Sequence, residues 1–252
     1  MKEIFNTDKK LVSIFFTAGY PKLKSTASTL LELQKNGVDF VEIGVPFSDP
    51  MADGETIQES SKIALGNGMT LQLLFSQLDE VKNEIKIPII LMGYFNSLLQ
   101  YGIENFCKKA KKVGVTGVIF PDLPLEIYNR NYKSIFESYG ISLIFLVSPQ
   151  TSKERILEID KASTSFIYAV SSASTTGKAS SEINCSYLES LNKMNLSSPV
   201  MVGFGIKDQI TFKQATQFSD GGIIGSAFIK HLSSKKPISE FTNMFKQKAL
   251  TK

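Results

Sequence analysis

The chain has 252 residues, of which 42% are hydrophobic and 21% charged, enough apolar sequence for a full core. Its 28 Lys and Arg against 24 Asp and Glu leave a net charge of +4, and no dense basic block is present, so a nucleic-acid surface is not indicated. Two cysteines and a single histidine exclude a disulfide framework and metal centres built on several His ligands.

The opening Met1–Asn6 is polar and no apolar run reaches the roughly 18 residues of a membrane span. A cytoplasmic protein is expected. Cys107 and Cys185 fall in helical patterns, far apart. The late lysines Lys235, Lys236, Lys246, Lys248 and Lys252 read as a solvated helix and tail.

In chain order the pattern is strand, then helix, repeated. The first strand is Ser13–Ala18, closed by Gly19-Tyr20-Pro21, with a helix over 25–36. The second is Val38–Gly44, β-branched and aromatic, entered after Gly37 and broken at Gly44 and Pro46. Two helical pieces over 56–84 follow, the second capped by Thr70. Pro88–Met92 forms the third strand, running into Gly93-Tyr94-Phe95-Asn96 and a helix to Val113. Gly117–Phe120 forms the fourth, ending at Pro121-Asp122-Leu123-Pro124, with a helix to Tyr139. The fifth is Ile141–Val147, followed by Ser148-Pro149-Gln150-Thr151 and a helix capped near Ser152. Ser165–Val170, Val200–Gly203 and Gly222–Gly225 complete a set of eight.

A weak repeat supports the count. Asn36-Gly37-Val38, Val113-Gly114-Val115 and Tyr139-Gly140-Ile141 each place glycine where a helix must turn left-handed before the next strand. Strict alternation implies a parallel sheet, and the length matches the roughly 250 residues of one (β/α)8 barrel. The expected architecture is a single (β/α)8 TIM barrel over residues 1–252, with an extra N-terminal segment and additional short helices after the second and eighth strands. No Gly-x-Gly-x-x-Gly follows the first strand, which argues against a dinucleotide fold.

Three features carry chemistry. Along the second strand, Val41 and Ile43 share one face with Val45, and Phe40 and Glu42 the other. If the apolar face meets the helices, Glu42 points into the barrel near its C-terminal mouth, where barrel enzymes work. Burial there raises a carboxyl pKa, by up to roughly 3–5 units; the alternative is a buried Glu paired with Lys or Arg. The loop that follows, 46–54, adds Asp49 and Asp53, which either join the site or serve as turn and capping residues.

The second feature is glycine-rich. Gly203-Phe204-Gly205 closes the seventh strand and Gly225-Ser226 the eighth, where barrels bind phosphate through backbone N–H groups and a helix N-terminus; tight-turn duty is the competing explanation. Third, the small and polar run 171–181 after the sixth strand suits a mobile lid, or an idle surface loop. His231 lies beyond the eighth strand, so neither a Ser–His–Asp triad nor a two-His metal site is readily built around it. No lysine ends the sixth strand, which disfavours a Schiff base. Acid–base work by carboxylates on a phosphorylated small molecule remains.

The motifs GVPFSDP, MADGETIQ, PIILMGYFN, PDLP, FIYAVSSASTTG, GFGI and GSAFIK, in that order, resemble the α-subunit family of tryptophan synthase. The resemblance spans nearly the whole chain, and GVPFSDP is highly specific. It implies cleavage of indole-3-glycerol phosphate to indole and glyceraldehyde 3-phosphate, a reverse aldol needing no cofactor in this chain. It puts Glu42 on the catalytic glutamate, Asp53 on the catalytic aspartate and Tyr168 on the active-site tyrosine. Phe15, Ile57, Met92, Ile119 and Phe204 fall where the family lines its indole pocket, and Gly177, Gly203, Gly205, Gly225 and Ser226 on its phosphate cup. Asp49 and Asn96 are implied to face a pyridoxal-phosphate β subunit in an α2β2 heterotetramer that receives the indole.

Two departures stand out. Glu55 replaces a proline common after Ala-Asp-Gly, and Ser172 stands where many relatives have arginine. Both bear on loop closure and on coupling to the β subunit. Two other readings stay open: a different phosphate-binding barrel such as a sugar-phosphate isomerase, and a weakly catalytic activator of a β subunit.

Overall fold

The computed structural model describes residues 1–171 and 183–245. Nine strands form one parallel sheet: β1 Leu11–Thr17, β2 Phe40–Gly44, β3 Ile89–Met92, β4 Val115–Ile119, β5 Ser142–Ile144, β6 Leu146–Val147, β7 Ile167–Val170, β8 Val200–Gly203 and β9 Gly221–Ile224. Their order is β5-β4-β3-β2-β1-β9-β8-β7-β6. Because β5 and β6 are consecutive in the chain, the two ends of that order meet and the sheet is a nearly closed barrel of eight staves.

The expected fifth strand is thus one stave carrying two short ladders. Its first half pairs with β4 and its second with β7, with the break at Phe145. Alternation runs unbroken through it: Leu143, Phe145 and Val147 join the outer core, while Ile144 and Leu146 face inward. Two expected helices are also divided. The one after β3 splits at Gly102, whose φ of 85° lies in the left-handed region, and the one after β4 splits at Tyr132. Gly37, Gly114 and Gly140 all have positive φ, at 83°, 80° and 71°, so the repeated glycine does end helices as its spacing predicts. Thr70 and Ser152 accept from Leu73 N and Arg155 N as caps.

Two apolar layers result from the period-2 alternation. On the outer face, Ile14, Phe16, Val41, Ile43, Leu91, Val118, Val202 and Ile224 pack under helical residues such as Leu30, Leu33, Leu74, Phe106 and Phe212. Each fully buried aliphatic side chain contributes about 1.5–3 kcal/mol relative to exposure. Inside the barrel lie Leu11, Phe15, Phe40, Ile90, Met92, Ile119, Ile144, Phe166, Tyr168, Met201 and Ile223.

The N-terminal segment is a plug. A 3-10 turn, Lys2–Phe5, brings Met1, Ile4 and Phe5 against the interior cluster, and the Phe5 ring lies 5.8 Å from Phe166, itself 5.6 Å from Phe40. Water is thereby kept from the lower barrel, and the open end is the C-terminal mouth. The expected short helices after the second and last strands are present as Glu55–Gly66, Leu71–Val81, Ser226–Ser233 and Ile238–Thr242. Among the described residues no helix is long and apolar enough to cross a membrane. Lys235 and Lys236 are exposed; Lys246, Lys248 and Lys252 lie outside the described residues.

Interior glycines set how closely staves approach. A Cβ added at Gly221 would sit 2.3 Å from the backbone oxygen of Leu11 and 2.8 Å from the Met201 sulfur, and the first contact is with the β1 ladder itself. Gly221→Ala is expected to lower stability by about 1–3 kcal/mol through overpacking, read as a reduced urea midpoint at unchanged m-value.

Candidate active site

The site begins with β2. Its residues pair in register with β1 and β3, so that Phe15, Glu42 and Ile90 lie side by side. Val41 and Ile43 take the helix side, as alternation predicts, and Glu42 goes inward. It is fully buried and both carboxylate oxygens lack a hydrogen-bond partner. The paired-Glu alternative is therefore excluded among the described residues. Desolvation by burial pushes the Glu42 pKa up to about 8. At neutral pH the group is a carboxylic acid with a proton to give.

Above it the pocket wall is made by residues from neighbouring staves. The tip of the Phe15 ring lies against Gly44, where an added Cβ would meet its Cζ at 2.5 Å. Phe15, Ile57, Met92 and Asp53 line one cleft together with Gly93 and Tyr94. Ile119 and Phe204 belong to the same interior cluster. Of the five residues expected to line the indole pocket, Phe15, Met92 and Ile119 thus lie in the interior cluster, and Ile57, from the helix Glu55–Gly66, and Phe204 pack against it, so that they share one apolar wall at the mouth.

Asp53 reaches that cleft from loop 46–54, half-buried. Burial raises its pKa to about 6, partly offset by a hydrogen bond that the Tyr94 hydroxyl donates to Oδ2 at 3.1 Å. Glu42 and Asp53 therefore have different ionisation ranges, one protonated and one ionised near pH 7, the condition under which two carboxyls take opposite roles. Tyr168 on β7 is buried; its pKa is raised well above normal by desolvation, then by the charges of Glu42 and Asp53. The phenol thus stays neutral within the field of both carboxylates. Space for it comes from Gly203, where a Cβ would stand 2.0 Å from the Tyr168 oxygen.

The glycine pairs sit together because β8 and β9 are neighbours. Phe204 and Gly205 are both left-handed, with φ of 68° and 79°. For a bulky residue such as Phe204 this is a strained conformation. It is held by Ser171, whose hydroxyl donates to the Phe204 oxygen at 2.5 Å and whose N–H donates to Gly203 O at 3.1 Å. Next door, Gly225 precedes the helix Ser226–Ser233 directly. A left-handed backbone turn beside a helix N-terminus is a concavity suited to an anion.

Asp49 and Asn96 are exposed at the mouth, along with Met51 at 90%. Glu55 opens the helix Glu55–Gly66 at its first position. Proline and acidic residues both suit that place, proline through its fixed φ and glutamate through the helix dipole, so the departure leaves the helix start intact. Gly177, Ser172 and the rest of the expected lid lie outside the described residues, apart from Ser171. Among the described residues no cluster of three or more His, Cys, Asp or Glu is placed to hold a metal ion.

Tyr94 was legible only in part. In the sequence Tyr94 belongs only to the run that leads out of the third strand, whereas in the structure its hydroxyl donates to Asp53. An aromatic hydroxyl two residues past a barrel strand was the available signal.

A barrel with an unpaired buried acid at its mouth, a differently titrating carboxyl group beside it and left-handed turns at the end of a neighbouring strand defines a class: barrel enzymes of acid–base chemistry. A profile of the tryptophan synthase alpha chain family matches residues 1–251. The chain is 54% identical over 240 residues to the tryptophan synthase alpha chain of Flavobacterium psychrophilum, covering 94% of this chain and 95% of that one. It is 53% identical over 246 residues to that of Christiangramia forsetii, covering 97% and 96%. Among solved structures it resembles tryptophan synthase from Mycobacterium tuberculosis at a TM-score of 0.86 and 27% identity, covering 96% of both chains. It also resembles the Campylobacter jejuni alpha subunit at 0.84 and 32%, covering 95% of this chain and 97% of that one.

The chain belongs to the tryptophan synthase alpha chain family. Its reaction is the lyase step of tryptophan biosynthesis that cleaves indole-3-glycerol phosphate, its partner is a β subunit, and pyridoxal phosphate resides in that partner.

The elevated Glu42 pKa has a thermodynamic consequence. Between the ordinary value of 4.5 and about 8, the folded state holds a proton that the unfolded state has released, so stability falls as pH rises through that window. Glu42→Gln removes this loss. The variant is expected to gain stability over the parent as pH goes from 5 to 7, approaching roughly 3 kcal/mol at pH 7, measured by urea unfolding at both pH values.

Proposed function

We propose that Glu42 and Asp53 divide the acid–base work of the cleavage. Indole leaves poorly as a carbanion, so its C3 is protonated before the carbon–carbon bond breaks. Glu42, neutral at physiological pH because it is desolvated, supplies that proton. Positive charge then develops on the ring N–H, and ionised Asp53 accepts a hydrogen bond from it. Glu42, now a carboxylate, takes the glyceryl hydroxyl proton as the aldehyde forms. A positioned proton transfer of this kind contributes typically ~10²–10⁴-fold.

The remaining residues serve recognition. Phe15, Ile57, Met92, Ile119 and Phe204 hold the ring, while Tyr168 fills the wall near both carboxyl groups. Gly203, Gly205, Gly225 and Ser226, with Gly177 from outside the described residues, bind the phosphate through backbone N–H groups. Residues 1–252 act as one barrel unit in the cytoplasm. The exposed Asp49, Met51 and Asn96 meet the β subunit in an α2β2 heterotetramer. The observation that carries the reading is the unpaired, fully buried Glu42 beside that apolar wall. A sugar-phosphate isomerase is not favoured, since a polyhydroxylated substrate would leave its hydroxyls unmatched against Phe15, Ile57, Met92 and Ile119.

Indole release from indole-3-glycerol phosphate, with and without a β subunit, tests this directly. Glu42→Gln is expected to abolish release while still activating the β subunit, and substantial residual cleavage would remove Glu42 from the mechanism. The pH dependence of kcat should be bell-shaped. Its acid limb near 6 reflects ionisation of Asp53 and its alkaline limb near 8 the loss of the Glu42 proton; a profile flat from pH 5 to 9 would contradict the assignment.

A further inference from the structure

We infer that Tyr94 is a positioning residue for the reaction: its hydroxyl fixes which oxygen of Asp53 meets the indole N–H and keeps that carboxylate ionised at working pH. The inference rests on the proposed role of Asp53. Three contacts join Tyr94 to the loop that carries Asp53. Its ring stacks on Phe47, with centroids 5.0 Å apart and planes at 21°. Its oxygen accepts from Ala52 N at 2.8 Å and donates to Asp53 Oδ2 at 3.1 Å.

The direction of that last bond is set by the first. A phenol has one proton. With Ala52 N–H directed at the oxygen lone pairs, that proton is left for the carboxylate. Oδ2 is then occupied and Oδ1 is the oxygen open to a ring N–H. An acceptor-only carboxylate receiving a donated hydrogen bond is favoured in its charged form, which works against the desolvation that raises Asp53.

Tyr94 is in turn held from a different stave. It precedes the helix Phe95–Tyr101, and the first N–H of that helix, on Phe95, donates to both oxygens of Asp122 at 3.0 Å. Asp122 follows β4. The exits of β3 and β4 therefore fix the phenol, and the phenol fixes the loop after β2. Among the described residues the titratable groups that interact with Asp53 are Tyr94 and Tyr168, with Glu42 beyond Tyr168 and Asp122 behind Tyr94. Of these, Tyr94 donates to it.

Tyr94→Phe keeps the ring on Phe47 and deletes only the donor. Its acid limb in kcat is expected to move up by about one pH unit, so that kcat at pH 6 falls about fivefold while kcat near pH 8 and KM change less than twofold. Carbon-13 NMR titration of the Asp53 carboxyl in the resting full-length chain should show the same rise in midpoint without any turnover. A Tyr94→Phe profile and Asp53 titration that superimpose on the parent's would overturn the inference. So would an equal loss at every pH with the Asp53 midpoint unmoved, which is what a merely structural clamp gives. Asp53→Asn separates the two levels. If it abolishes cleavage while Tyr94→Phe changes nothing, only the role of Tyr94 falls; if it cleaves like the parent, the role of Asp53 falls and this inference with it.

Discussion

Everything at the mouth of this barrel depends on one carboxyl group kept from water without a partner. Removing an acid from solvent is costly unless it stays protonated, and Glu42 stays protonated because every neighbour that could have stabilised its anion has been left out. The registered residues on either side are Phe15 and Ile90, the plug of Met1, Ile4 and Phe5 closes the opposite end, and among the described residues no lysine or arginine pairs with it. A single ion pair would drop the pKa and leave no proton to donate near neutral pH. The apolar interior is as much part of the acid as its oxygens are.

The rest of the site follows from the need to use that acid on a specific atom. Glycines stand where aromatic groups must approach a stave closely, Gly44 beneath Phe15 and Gly203 beneath Tyr168. A second carboxylate is delivered from a loop and tuned by a phenol, so that two chemically similar groups differ in ionisation by about two units. The strained Phe204 turn is held open by Ser171 on the neighbouring stave. Strain of this kind, about 1–3 kcal/mol, persists where surroundings over-determine it.

Much of this was written plainly in the sequence. Strand alternation placed Glu42 inward, since Val41 and Ile43 had to meet helices; the glycine after each of three helices marked the return to the sheet; and the order of motifs named the family. What escaped was whatever depended on contact across distant segments. Tyr94 and Asp53 are 41 positions apart, and no local period links them. Nor does anything in Ile141–Val147 announce a ladder broken at Phe145, because the inward and outward alternation is perfectly regular there and only the hydrogen bonds change partner.

That broken ladder gives the wall a seam. Five strands, β1 to β5, form one arc and four, β6 to β9, the other; the arcs share a full ladder between β1 and β9, but across from it they meet within a single stave. The bond from Tyr168 N to Phe145 O, at 3.0 Å, lies on this suture. The residue whose phenol feels both carboxyl groups is therefore also the one whose backbone stitches the halves together. Any opening of this join would displace Tyr168 directly, because its own N–H is one of the bonds that closes it.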